Sequence, residues 1–257
     1  MILGVLSTSP LPGSTMKPLN RQQSTMPAGP TPPTPPPMQR DDTDDGLRLL
    51  HRHHQATLQH LERRAEVRFV IDPGTGELVF PVEQGFAAAP ELVLHMPDEV
   101  QSTFELAVVP KVIERPEADG TVDRWTAYHG QAGALPTQRG GMKWVRAQID
   151  AGKRPRPGDA GEVYSASVLQ QPNPLRATEF KLIKKFNGDR PLLASMCRGS
   201  TGVEVIDPLC VGIDSFGMDI RARFGILRLE FELEAATADQ AEEWARRLAS
   251  QVPKPHA

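Results

Sequence analysis

The chain has 257 residues, 24% of them charged and 39% hydrophobic, with a formal net charge of −3. This is ordinary globular usage, and the slight acidity excludes a general nucleic-acid binder, which needs a basic field. Two cysteines with no CxxC pair exclude a disulfide framework and suit a reducing compartment, and no apolar run approaches the roughly 18 residues of a membrane span.

Residues 1–40 stand apart from the rest. The stretch "PAGPTPPTPPP" (27–37) holds seven prolines in eleven residues. Proline removes backbone donors and fixes φ, so a disordered tail is predicted, with a polyproline II docking segment as the alternative use. The opening "MILGVLSTSPLPGS" has no basic residue before Lys17 and so lacks the charged region of a signal peptide. Met16, Met26 and Met38 leave room for a start further downstream, and the expected setting is cytoplasmic. "DDTDDG" (41–46) is not a calcium loop, because Thr43 and Arg52 fall where that loop needs its third and twelfth ligands. The acids suit the N-terminus of a helix predicted over 45–64, whose stripe is Leu47, Leu50, His54, Leu58 and Leu61. His51 and His54 share a face of it, but no local acid or thiol completes a metal set, so a solvated polar face is expected.

From 65 to 149 the period changes to two. Strands are predicted at 67–71, 77–82, 91–96, 104–114, 122–130 and 142–149, with turn chemistry at "DPGTG" (72–76). Many antiparallel strands at this spacing suggest a barrel or sandwich. "DAGKRPRPGDAG" (150–161) has the composition of a linker or long loop.

Helices are predicted at 173–186, where Leu175, Leu182 and Phe186 form a stripe, and at 190–198, capped by Asp189 after an αL stop at Gly188. Strands follow at 203–206 and 210–214, then a hairpin, "MDIRARFGILRLEF" (218–231). With Phe224-Gly225 at the centre of its turn, Met218 faces Phe231, Ile220 faces Leu229 and Ala222 faces Leu227, so one face is wholly apolar and must be buried. The other face carries Asp219, Arg221, Arg228, Glu230 and Glu232. In this register Arg221 lies opposite Arg228, which is unfavourable unless an anion intervenes, and a solvated face with diagonal Arg–Glu pairs is expected. A last helix starts at Thr237 with a capping-box partner at Gln240, turns Ala241, Trp244 and Leu248 inward, and pairs Glu242 with Arg246 and Glu243 with Arg247.

The richest chemistry lies in "DRWTAYHG" (123–130). On a strand, Arg124, Thr126 and Tyr128 share one face and Trp125, Ala127 and His129 the other. Arg124 is the candidate for a phosphate contact, Tyr128 for stacking or hydrogen bonding a ring, and His129 for an axial haem ligand or a base. The alternative is Trp125 in the core, with Arg124 and His129 at a strand end. Lys143 and Arg146 add charge to the same candidate pocket, while His95 within "LVLHM" reads as a satisfied strand histidine. GxSxG, HExxH, GxGxxG and P-loop patterns are absent, and no carboxylate pair stands out.

Residues 173–249 resemble the C-terminal domain of the HugZ-type haem-utilisation family. The residues that carry the resemblance are Glu179, Asn187 and Asp189 in "EFKLIKKFNGDRPLL" (179–193), then Asp214, Gly217, Asp219, Arg221, Arg228 and Phe231 in "CVGIDSFGMDIRARFGILRLEF" (210–231). The resemblance implies a preceding split β-barrel similar to the pyridoxamine-phosphate-oxidase type, which often dimerises and binds FMN. A family-like segment falls near "EVQSTFEL" (99–106), where Thr103 and Leu106 agree. Arg190 stands where the family pattern has histidine. A guanidinium has no lone pair for iron, so haem ligation at that position is excluded.

The expectation is therefore an α+β chain: a disordered tail (1–40), an antiparallel split β-barrel with an N-terminal helix (41–160), and a small helix–antiparallel-sheet domain (161–257). The first function expected is binding of FMN or a related planar anionic cofactor, with Arg124, Tyr128, His129, Lys143 and Thr103 as contacts and haem as the alternative ligand. The second is a non-catalytic regulatory or scaffolding protein of the same fold that has lost its cofactor. A homodimer is implied, with neither nucleic acid nor membrane as partner.

Overall fold

All but one of the period-two segments assemble into one large sheet. The computed structural model describes residues 40–97, 102–130, 141–156 and 158–250; the proline-rich segment expected to be disordered, and residues 99–101 of the family-like segment, lie outside them. The eight-stranded antiparallel sheet comprises β1 (Gln55–His60), β2 (Arg63–Arg68), β3 (Val70–Ile71), β4 (Leu78–Glu83), β5 (Leu92–Met96), β6 (Phe104–Val112), β7 (Met142–Arg156) and β8 (Asp159–Ser165). Its order is β2-β1-β5-β6-β7-β4-β3, with β8 also paired to β7. Phe104, Leu106 and Val108 alternate inward on β6, and Leu92, Leu94 and Met96 on β5, against Phe69, Phe80, Phe86 of the short helix α2 (Gln84–Ala87) and Leu169 of the short helix α4 (Ala166–Leu169). An ion pair between Arg63 and Glu83 (3.0 Å) links the flanking strands β2 and β4.

A second antiparallel sheet, order β11-β10-β9, holds β9 (Leu209–Asp214), β10 (Gly217–Ala222) and β11 (Gly225–Glu230). Helices α5 (Arg176–Asn187), α6 (Arg190–Thr201) and α7 (Ala238–Ser250) cover one face, burying Leu182, Phe186, Leu193, Met196 and Leu248 against Met218, Ile220 and Leu229. The mixed helix and antiparallel-sheet class is as expected. Asp189 caps α6 by accepting from the Leu192 amide, and Thr237 and Gln240 form the expected reciprocal capping box. Among the described residues, no helix is long and apolar enough to cross a membrane.

Several expectations are corrected. The helix predicted over 45–64 ends early: α1 runs Arg40–His51, and Gln55–Arg68 forms the β1–β2 hairpin. Leu58 then follows strand periodicity, because β1 pairs on its other edge with β5. The strand predicted over 122–130 is helix α3 (Gly120–His129). Asp119 caps it by accepting from the Thr121 amide, and Gly130, at φ 68°, ends it. The linker expected at 150–161 is instead the paired end of β7 and the start of β8. No strand forms at 203–206, and Gly188 stays right-handed (φ −74°). On α7, Ala245 joins Ala241 and Leu248 in the core, while Trp244 is only partly buried under Arg247.

The β10–β11 register also differs. Met218 faces Leu229, Ile220 faces Leu227, Asp219 faces Arg228 and Arg221 faces Ile226, with Arg223-Phe224 at the turn. The apolar face is the one expected. The charged face is solvated only in part: Glu232 is exposed, but Asp219 is 3% exposed because α3 and the end of α1 pack over it.

Candidate functional site

The second face of the small sheet meets the large sheet through a buried ionic cluster. Asp214 ends β9 in a tight turn in which its Oδ1 accepts from the Phe216 amide. Arg228 on β11 reaches back and donates to both Asp214 oxygens (2.6 and 2.8 Å) and to Asp219 Oδ1 (3.1 Å). His51, at the end of α1, places Nδ1 2.8 Å from Asp214 Oδ2. His54 Nε2 lies 3.2 Å from Asp219 Oδ1 but outside hydrogen-bond geometry. Burial alone would raise both aspartates; the guanidinium of Arg228 overrides it and holds them below the usual carboxylate range.

Helix α3 joins this cluster. Tyr128 donates to Asp219 Oδ2 (2.8 Å), and Arg124 Nη2 donates to the Tyr128 hydroxyl (2.9 Å). Arg124 Nη1 also pairs with Glu179 on α5 at 2.8 Å, and Glu179 Oε1 accepts from the Ile213 amide. The Tyr128 hydroxyl is pushed far above its ordinary range by burial, so it stays a donor. The opposite side of α3 packs on the large sheet: Trp125 donates to the Arg68 carbonyl (2.7 Å), and His129 Nε2 lies 3.1 Å from the Phe69 carbonyl.

Close approach at Gly212 lets α3 dock. A β-carbon there would fall 1.7 Å from the Tyr128 hydroxyl and 3.0 Å from Arg124 Nη2. Gly212→Ala is therefore expected to expel Tyr128 from Asp219 and to lower stability by about 1–3 kcal/mol. A urea midpoint equal to wild type would show that α3 does not pack this tightly.

Two cavities flank the cluster and share His54 and Tyr128. One, of about 280 Å³, lies towards the β9–β10 turn. The other, a cleft of about 450 Å³, lies towards the β10–β11 tip. Arg52, Arg68, Arg221 and Arg223 line the cleft, with His53 and His129. Arg52 pairs with Glu230, and Arg221 donates to the Ala127 carbonyl. Arg68 and Arg223 are exposed, and among the described residues neither has a carboxylate partner. Burial lowers the His53 and His129 imidazoles to about 4, so both are neutral at physiological pH.

Arg124, Tyr128 and His129 thus come together on one helix, although Arg124 and Tyr128 are committed to Glu179 and Asp219. Thr103 and Lys143 do not join them. The Thr103 hydroxyl donates to the Met96 carbonyl, Lys143 is exposed opposite Val82 on β4, and neither lines these cavities. Arg146 is held by Asp72, Glu77 and Asp119. His95 hydrogen-bonds Gln59 (2.9 Å), as a satisfied strand histidine should. The acidic partners of His51 and His54 were invisible locally because they lie about 160 residues away on β9 and β10.

No protein-family model matches the chain, and no curated protein matches its sequence. Among solved structures, a protein of unknown function from Agrobacterium tumefaciens superposes with a TM-score of 0.61 at 16% identity, over 84% of this chain and 99% of that one. That likeness establishes a shared fold. A heme binding protein from Mycobacterium smegmatis overlaps more loosely, with a TM-score of 0.40 at 17% identity over 83% of this chain and 98% of that one.

Proposed function

We propose that the cleft between α3 and the β10–β11 tip binds a planar anionic cofactor of the haem class. The observation that carries this reading is a neutral imidazole, His129, set among guanidiniums. Its Nε2 faces the Phe69 carbonyl, which favours the tautomer protonated there and leaves Nδ1 with the lone pair. Metal-binding histidines generally use their second nitrogen in this way. Arg68 and Arg223 suit the carboxylates at the edge of such a ring. Bound haem would supply redox or oxygen chemistry, while the chain supplies a nitrogen ligand and anion contacts.

The resemblance to the HugZ-type family supports the same reading, a role in haem metabolism, in which residues 41–160 would supply α3 and 161–257 the arginine-bearing tip. FMN is the second ligand to test; its phosphate would fall to Arg68 or Arg223, since Arg124 is already paired with Glu179. The non-catalytic regulatory reading is favoured by one observation: Arg190, at the family's histidine position, donates to the Pro208 carbonyl and acts as a structural clip.

Absorbance titration with haemin and with FMN tests this. Haemin is expected to give a shifted, saturable Soret band that His129→Ala removes and His95→Ala retains. Because His129 protonates only near about 4, the band should persist from pH 8 to about 5 and fade below that. No spectral change with either compound would leave the regulatory reading in possession.

A further inference from the structure

Between the start of α6, residues 205–209 and the end of β10 lies an open groove of about 800 Å³, which shares only Arg221, Ala222 and Arg223 with the cleft. Its floor is apolar, formed by Ala194, Val205 and Leu209. Its rim is cationic: Arg190, Arg221 and Arg223 stand against one carboxylate, that of Asp207. Arg190 and Arg223 are exposed and Arg221 is half-buried. Arg190 donates to the Pro208 carbonyl and Arg221 to the Ala127 carbonyl. A carbonyl holds a guanidinium in place without cancelling its charge, and most of the N–H donors remain free. Among the described residues, none of these three arginines has a carboxylate partner. Ile206 and Phe224, each next in sequence to a lining residue, are 61% and 66% exposed. Large apolar side chains beside uncompensated arginines have the composition of a protein interface.

Shape and charge select the occupant. A small molecule is held by a pocket that encloses most of it, whereas this groove is open and suits a chain segment laid across it. A nucleic acid calls for a basic field and for aromatic faces under its bases; no ring lines the groove, and the chain carries a net charge of −3. A bilayer surface is too flat to reach a recessed apolar floor. A peptide with both carboxylates and apolar side chains meets rim and floor together.

The geometry points to this groove as the docking site for an acidic, partly apolar peptide segment of a partner protein, whose carboxylates pair with Arg190, Arg221 and Arg223.

The test is fluorescence anisotropy of the full chain with a short labelled peptide alternating glutamate with leucine. A lysine–leucine peptide, an all-glutamate peptide, oligothymidylate and vesicles of equal parts phosphatidylserine and phosphatidylcholine serve as competitors for the other readings. The glutamate–leucine peptide is expected to bind saturably, at least about tenfold more tightly than either other peptide, and to weaken as salt screens the rim. Arg223→Glu, at an exposed turn position, should weaken it about tenfold or more, whereas Lys143→Glu, an exposed charge outside the groove, should change it by less than about twofold. Ala194→Trp fills the floor and should obstruct the peptide while leaving a haemin titration unchanged, because Ala194 does not line the cleft. His129→Ala should leave peptide binding intact, so this inference and the haem reading fail separately. No saturable binding of the glutamate–leucine peptide, equal binding of the lysine–leucine peptide, or tighter binding of oligothymidylate or vesicles would overturn the inference.

Discussion

Arg228→Leu is expected to lower stability by about 3–5 kcal/mol at neutral pH, the usual consequence of removing one partner from a buried ion cluster. The effect is large because Arg228 is the guanidinium that serves two aspartates, each no more than 10% exposed. The pH dependence should also change sign. In the native protein Asp214 and Asp219 have lowered pKa values, so their stabilising contribution is complete above the ordinary carboxylate range and is lost only as pH falls below that range, down through the lowered folded values. Without Arg228, the carboxylates keep only the imidazoles of His51 and His54 against their burial, so acid is expected to favour the folded variant by protonating either member of each pair. Acidification from pH 7 to about 5 should then raise the melting temperature of the variant while that of the wild type stays level or falls. Parallel curves would show that Arg228 does not neutralise this pair.

Leu229→Asp is expected to abolish soluble folding. Leu229 is fully buried opposite Met218, in the core formed with α5, α6 and α7. An unpaired carboxylate there has no nearby cation and carries a desolvation penalty comparable to the whole stability of a domain. Leu229→Ala should cost about 2–5 kcal/mol and still fold. The measurement is soluble yield, followed by circular dichroism and thermal melting. A Leu229→Asp protein with a native melt would mean that β11 turns this face to solvent.

The same hairpin shows how far its sequence constrains structure. The expected register and the observed one differ by a two-residue shift of one strand. Such a shift preserves side-chain parity, so both registers pair apolar with apolar, and hydrophobic patterning cannot choose between them. Charge can: the observed register sets Asp219 opposite Arg228, whereas the expected one sets Arg221 there. The like-charge pair in the expected register was the readable sign that the turn had been misplaced.

Two errors in element type share one cause. A spacing of four residues is close to one helical turn and is also an even strand interval. Leu50, His54 and Leu58 therefore fit a helix even though the last lies on β1, and Arg124 with Tyr128 fit a strand although they lie on α3. The discriminating signals were the end groups, Asp119 and Gly130, around α3. Because that spacing keeps Arg124 with Tyr128 and Trp125 with His129 in either element, the two chemical faces of this segment were legible even though its conformation was not. The ionic cluster was not legible, since it joins residues from α1, α3, α5 and the small sheet that only the finished fold brings together.

Strand β7 carries a consequence for biosynthesis. It is the 15-residue partner of β4, β6 and β8. A chain leaving the ribosome in order presents β4 with only the two-residue β3 to pair with until residue 142 and beyond have emerged. While the roughly 60 residues that separate β4 from β7 are being made, the apolar run "LVFPV" has one edge open to neighbouring nascent chains. Destabilising changes in β7 should therefore reduce the yield of correctly made protein more than they reduce the melting temperature of the molecules that mature.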